Sequence, residues 1–292
     1  MSRSTEIYND LTNQIIKLME QGVPPWQHPV VAQSGGLPLR ANGEPYQGLN
    51  ILACWASSIK HGWTGQQWFT FKQMAKLGGR LVEGSKGKGT YVFFYGSAPV
   101  DQADPDAGWY KFSKPYTVWN SDQIEGLPKR FELTNELLDN PPVQPLEDFF
   151  AATGSDVSTQ DQGQCFYIPS RDQIVMPPIE RFRSVASYYA TLAHEHVHWT
   201  GATHRLDRVL NTNPRRSEYA YEELIAELGS AFLMQELGAV PVQTESHAAY
   251  LEHWLRGLKN DRRMLQQAAT KASEAVAFLK TEAAASEQRL AA

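Results

Sequence analysis

The chain has 292 residues, 42% hydrophobic and 20% charged, a globular balance that excludes a disordered, collagen-like or fibrous coiled-coil protein and allows one large domain or two ordinary ones. No run approaches the ~20 apolar residues of a membrane span and the first residues lack a signal stretch, while Cys54 and Cys165 do not form a CxxC pair, so a cytoplasmic protein without a membrane partner or disulfide framework is expected. The net charge of −5 argues against nucleic acid only on average, because residues 1–140 hold 13 basic and 13 acidic side chains and residues 141–292 hold 14 and 19.

In chain order, apolar residues at helical spacing from Ile7 to Met19 predict a first helix, which the Gly22-Val23-Pro24-Pro25 run stops. A Gly- and Pro-rich loop over 30–48 leads to a second helix over 49–59, and 70–79 reads as a short helix with a glycine stop. Residues 90–95 are strand-like in their β-branched and aromatic content, with 112–119 as the antiparallel neighbour and a polar, mobile loop over 96–108 between them. Three prolines within 139–145 predict an extended spacer, which places a boundary between a domain of residues 1–140 and one of residues 141–292. A helix near 146–152, short strands near 164–168 and 173–176, and helices from there to the C-terminus complete an α+β chain whose second half is mainly α with a small sheet. No internal repeat is visible.

Residues 184–200 read as one amphipathic helix containing His194-Glu195-His196-Val197-His198, an HExxH motif. Residues four apart share a helical face, so His194 and His198 can converge on one Zn2+ with Glu195 beside it. Such an ion acidifies its water and polarises a carbonyl, and Glu195 takes the water's proton as general base, which is the chemistry of peptide hydrolysis. His196 lies about 200° round the helix from His194 and is expected to be structural. For a third ligand there are two candidates. His204 completes HExxHxxGxxH with Gly201 as the turning point, although Gly201 also reads as a plain helix cap. Glu223 opens a downstream helix with Glu227 one turn on, in a run of apolar residues that argues for burial; Glu223 is preferred as ligand and Glu227 as the group orienting a ligand histidine. The donor set favours zinc while admitting Mn2+ or Co2+.

With these motifs in view the whole chain resembles the ArdC antirestriction proteins of conjugative plasmids and the N-terminal part of the related plasmid primases. The resemblance is carried by Gly22-Val23-Pro24-Pro25-Trp26, Pro45-Tyr46-Gln47-Gly48-Leu49-Asn50, Trp68-Phe69-Thr70-Phe71-Lys72-Gln73 and Gly84-Ser85-Lys86-Gly87 in the first half. In the second half it is carried by His194 to Gly201, Arg205-Leu206-Asp207-Arg208 and Tyr219-Ala220-Tyr221-Glu222-Glu223-Leu224-Ile225-Ala226-Glu227. It implies an N-terminal single-stranded DNA-binding domain, a C-terminal zincin-like metallopeptidase domain, and protection of incoming plasmid DNA from host restriction enzymes.

Holding a single strand without sequence preference needs aromatic faces for bases and cations for phosphates. Residues 60–90 carry six lysines and arginines against Glu83 alone, and six of the eight tryptophans precede residue 140. The candidate contacts are Trp26, Tyr46, Asn50, Trp68, Lys72, Lys86 and Lys88, with core packing as the competing expectation for each aromatic and a plain glycine turn for the two lysines set among Gly84, Gly87 and Gly89. The rival functional reading is a dedicated cytoplasmic zinc metallopeptidase whose first domain captures protein substrates; a third is a structural metal or latent enzyme.

Overall fold

The computed structural model describes residues 3–21, 24–27, 36–100, 108–131, 143–161, 164–182, 184–208, 210, 217–239 and 247–291. The first half runs α1 (Arg3–Glu20), β1 (Leu39–Arg40), α2 (Leu49–His61), β2 (Gln67–Phe69), α3 (Phe71–Lys76), β3 (Arg80–Leu81), β4 (Thr90–Pro99), β5 (Trp109–Asn120) and β6 (Ile124–Glu125). The second runs α4 (Val143–Ala152), β7 (Asp156–Thr159), β8 (Phe166–Ile168), β9 (Gln173–Met176), α5 (Val185–Thr200), α6 (Ser217–Glu236), α7 (His247–Asn260) and α8 (Arg263–Ala291). This is the expected α+β architecture.

Local chemistry explains several ends. Thr70 caps α3 reciprocally with Gln73, each side chain accepting from the other's backbone N–H at 3.3 and 2.8 Å. Ser184 caps α5 by accepting from the Ser187 N–H at 3.1 Å. Pro145 falls in the first turn of α4, where its missing N–H has no helical partner to lose, so the last part of the expected spacer is helix instead. Residues 132–142 lie outside the described residues, as do the loop residues 101–107.

The first half builds a four-stranded sheet in the order β1-β2-β5-β4, with β1 parallel to β2 and the rest antiparallel. The β4–β5 ribbon is longer than its composition predicts: ten register pairs run from Thr90↔Val118 to Pro99↔Trp109. Cross-strand pairing carries the Gly96-Ser97-Ala98-Pro99 segment, whose own β-propensity is poor. The second half holds a small sheet, β7-β9-β8, with β7 parallel and β8 antiparallel to β9; β7 is the one strand of the three that hydrophobic patterning does not reveal.

One hydrophobic cluster joins the halves. It contains Ile15 and Met19 of α1, Leu52 and Trp55 of α2, and Leu224, Phe232, Leu265 and Leu279 of the C-terminal helices. Trp55 packs on Phe232 with ring centroids 5.6 Å apart, and the Gly48 N–H donates to Ser273 Oγ at 2.9 Å.

This core corrects four expectations about DNA contacts. Trp26 and Trp68 are each 1% exposed, and Tyr46 is buried, so no ring face is open for a base to stack on. Burial also raises the Tyr46 phenol above its ordinary pKa. The Asn50 side chain is spent on the sheet: its Nδ2 donates to the Phe93 carbonyl at 2.8 Å and its Oδ1 accepts from the Phe93 N–H at 2.7 Å. Because β4 is an edge strand, that pair of bonds satisfies backbone groups that would otherwise invite another strand. Asn50→Ala removes both bonds at a site alanine suits as a helix former, and is expected to cost about 1–3 kcal/mol. Chemical denaturation should show a lower midpoint, and an unchanged midpoint would show that the edge is held by something else.

Candidate metal centre

Helices α5 and α6 approach closely because α6 carries Gly229 at their crossing. A Cβ there would lie 2.6 Å from Val197 Cγ2, so alanine or anything larger would push the helices apart. Ser230 Oγ donates to the Ala190 carbonyl at 2.7 Å and pins the same contact. The consequence is that the carboxylates of α6 face the HExxH turn of α5.

His194 and His198 point the same way, with their Nε2 atoms 3.1 Å apart. Glu223 turns Oε2 to His194 Nε2 at 3.5 Å and Oε1 to His198 Nε2 at 3.4 Å. One donor atom from each of these three residues lies within 4.8 Å of the others, and among the described residues this is the cluster able to hold a metal ion. Two ligands of a tetrahedral ion bound at 2.0–2.1 Å are separated by about 3.3 Å, close to the observed nitrogen spacing, so the residues present fit a zincin-type ion. Glu227 Oε2 stands 3.8 Å from His194 Nδ1, a buried atom without a hydrogen-bond partner.

The electrostatics agree. Burial works against a charged imidazole, yet Glu222 and Glu223 overcome it and push His198 up to about 10, and Glu223 with Glu195 raises His194 against burial and the neighbouring His198. Burial likewise opposes the Glu223 carboxylate, but His194 and His198 hold it well below its usual range. The cluster therefore demands positive charge, which a proton or a cation can supply. Glu195 is raised by burial and, with His194, His198, Tyr167, Tyr219 and Glu223, lines a cavity of about 290 Å³.

His204 stays outside. Gly201 keeps a right-handed conformation at φ −76°, and the His204 side chain is 65% exposed with Nε2 3.3 Å from Asp172 Oδ2. What returns to the site is the next part of the chain. Arg208 is buried and donates to Glu222 from Nε and Nη2 at 3.0 and 2.8 Å and to Thr200 Oγ1 at 2.9 Å. Glu222 in turn sits 3.3 Å from His198 Nδ1. Sequence reasoning passed over Glu222 and Arg208 as functional groups; the available signal was their place in the two C-terminal motif stretches, a glutamate and an arginine bordering apolar runs. His196, as expected, is structural: Nδ1 donates to the Leu192 carbonyl and Nε2 accepts from Ser155 Oγ, both at 2.8 Å.

In the first half, Lys72, Lys86 and Lys88 are all exposed. Gly84 and Gly87 take φ of +78° and +82°, which glycine alone adopts freely. Lys88 lines a cavity of about 250 Å³ with Lys60, His61 and Tyr91, and burial, Lys60 and Lys88 together lower the His61 pKa.

A sheet-and-helix first half packed on a buried HExxH helix pair defines a class of protein: a metallopeptidase-type second half carried behind a distinct N-terminal sequence region. Known proteins agree with that division. Residues 144–271 match the zincin-like metallopeptidase family, and residues 5–121 match the N-terminal domain of the anti-restriction factor ArdC. The crystal structures of ArdC from plasmid R388, metal-free and Mn(II)-bound, superpose with TM-scores of 0.81 and 0.80 at 41% and 40% identity, covering 95% of this chain and 97% and 98% of theirs. The uncharacterised protein y4eC of Sinorhizobium fredii is 33% identical over 92% of this chain and 90% of its own length. DNA primase TraC of Escherichia coli is 33% identical over 93% of this chain, which spans only 27% of TraC. The chain belongs to the ArdC antirestriction family.

Burial sets the His196 pKa at about 4 against an ordinary 6.5. The unfolded chain therefore binds a proton that the folded chain refuses, so this residue's contribution is complete above about pH 6.5 and is lost as pH falls toward about 4. At about 1.4 kcal/mol per pKa unit the loss approaches roughly 3 kcal/mol. His196→Gln cannot titrate; its stability deficit against wild type should narrow as pH falls through that window, and a constant deficit would contradict the assignment.

Proposed function

We propose that the protein binds single-stranded DNA through residues 1–140 and protects incoming plasmid DNA from host restriction enzymes, while residues 141–292 carry a metal-dependent peptidase site. The observation behind this reading is the convergence of His194, His198 and Glu223 beside Glu195 in a chain of this family. His194, His198 and Glu223 are the ligands, Glu222 orients His198 through Nδ1, and Glu227 faces Nδ1 of His194. Held by these residues, a divalent ion would supply Lewis acidity to a water and to the scissile carbonyl. Zinc suits two imidazoles and a carboxylate, and the same donors accept manganese or cobalt. Glu195 accepts the proton of the attacking water, and burial raises its pKa above the ordinary carboxylate value, which makes it a stronger base. A host protein such as a restriction enzyme is the substrate class, and the cytoplasm is where plasmid DNA and such a protein meet. Lys72, Lys86 and Lys88 hold phosphates of the single strand.

Elemental analysis of the full chain should find one divalent ion per molecule, and His198→Ala should lose it. Glu195→Ala should keep the ion and lose peptide hydrolysis, because a base is removed and the ligands stay. Stoichiometric metal in the first variant, or full hydrolysis in the second, would refute the assignments.

Single-strand affinity should fall steeply with salt. Replacing Lys86 and Lys88 together by alanine should flatten the logarithmic salt slope by about 1.4, at ~0.7 per phosphate contact. Binding that ignores salt is incompatible with this reading.

A further inference from the structure

Burying Trp26 and Trp68 removes two expected base platforms, and the β4–β5 ribbon supplies another. Directly paired residues share a face of the ribbon, and the face alternates at each step. The register pairs Val92↔Tyr116, Phe94↔Lys114, Gly96↔Phe112 and Ala98↔Tyr110 therefore put four aromatic rings and one ammonium group on the same face. That face is covered at the Thr90 and Val92 end, where Thr90 Oγ1 donates to Ser57 Oγ of α2. Beyond it the rings are open: Phe94 is 53% exposed, Tyr110 52% and Tyr116 42%.

Three of the rings form a row, and Lys114 lies between it and the fourth. Phe94 and Phe112 have centroids 6.1 Å apart, Phe112 and Tyr110 6.2 Å, and Lys114 Nζ lies 5.5 Å from the Tyr116 centroid. Gly96 leaves room for the row, whose neighbouring rings are tilted by 49° to one another. A Cβ at that position would meet Phe112 Cζ at 2.8 Å and Phe94 Cε1 at 2.9 Å, so both rings rest where a side chain would otherwise stand.

Such a row costs solubility and invites aggregation at a sheet edge, which calls for an occupant. Its charge says which. Neither strand carries an aspartate or glutamate, and both of their charged side chains, Lys111 and Lys114, are cations. Asp101, Asp104 and Asp106 belong to the connection 101–107, outside the described residues. Aromatic faces with cations and no anions are what unpaired bases and their phosphates require, and sheets bind single strands in this way.

We propose that Phe94, Phe112, Tyr110 and Tyr116 form a base-stacking platform for single-stranded DNA, with Lys114 as its phosphate contact. The proposal rests on the reading of the N-terminal half as a single-strand binder and names its surface.

The test is fluorescence anisotropy of a labelled oligothymidylate with the full-length protein at low salt. The double variant Phe94→Ala with Tyr110→Ala should bind at least about tenfold more weakly, since each stacked base is worth roughly 5- to 150-fold. Its salt slope should stay that of wild type, because rings and not cations are lost. Phe94→Leu keeps an apolar side chain and should also weaken binding, whereas Phe94→Trp should preserve it; this separates loss of stacking from loss of folding. Gly96→Val keeps every ring but displaces two, and should weaken binding as well. Wild-type binding in the double variant would overturn the platform and leave the DNA reading standing. No binding by the wild-type protein would overturn both. A dimer that the double variant dissolves without changing DNA affinity would assign the rings to self-association and overturn the platform too.

Discussion

Four glutamates, Glu195, Glu222, Glu223 and Glu227, are buried where α5 meets α6. Removing a carboxylate from water costs several kcal/mol, and no hydrophobic packing offsets that unless cations or donors face each one. The arrangement of the second half answers this constraint. Arg208 returns on the turn after α5 to form a forked bond with Glu222, and the two imidazoles of α5 take Glu223 between them. Neither compensation works unless the helices lie close, which is why a glycine stands at their crossing. A site that favours positive charge is thus a property of the helix packing as much as of the ligands.

The two halves of the chain also share this helix. Phe232 lies three residues past Gly229 on α6 and receives Trp55 from α2, so the element that carries Glu223 is also a wall of the first half's core. Tyr8 of α1 donates to the Arg262 carbonyl between α7 and α8 at 2.6 Å, a second tie across the chain. The division seen by the two family matches is therefore a division of sequence laid over one continuous apolar core.

Within the first half, burial separates two groups of aromatic residues. Trp26, Trp55 and Trp68 fill the interior, where their large apolar area contributes most, while Trp109, at 67% exposed, and the phenylalanine and tyrosine rings of the ribbon stay in solvent. Composition alone counts both kinds together. Tryptophan number in the first half says nothing about which rings meet solvent.

What could be read before any fold was known is what depends on neighbours within about one helical turn. The HExxH spacing, the paired imidazoles, the structural role of His196, the α+β order and most helix positions are of this kind, because hydrophobic period and capping are local. The resemblance added the family. Glu223 was preferred over His204 on the apolar run around it, yet both stood open, since a third ligand arrives from a separate element and its distance from the first two is set by helix crossing. The same holds for Glu222 with Arg208, fourteen residues apart, and for Asn50, whose partner Phe93 lies on another element. Burial is the deciding quantity in every such case. It belongs to the packed molecule, because which side of a residue meets water is determined by segments remote in the chain.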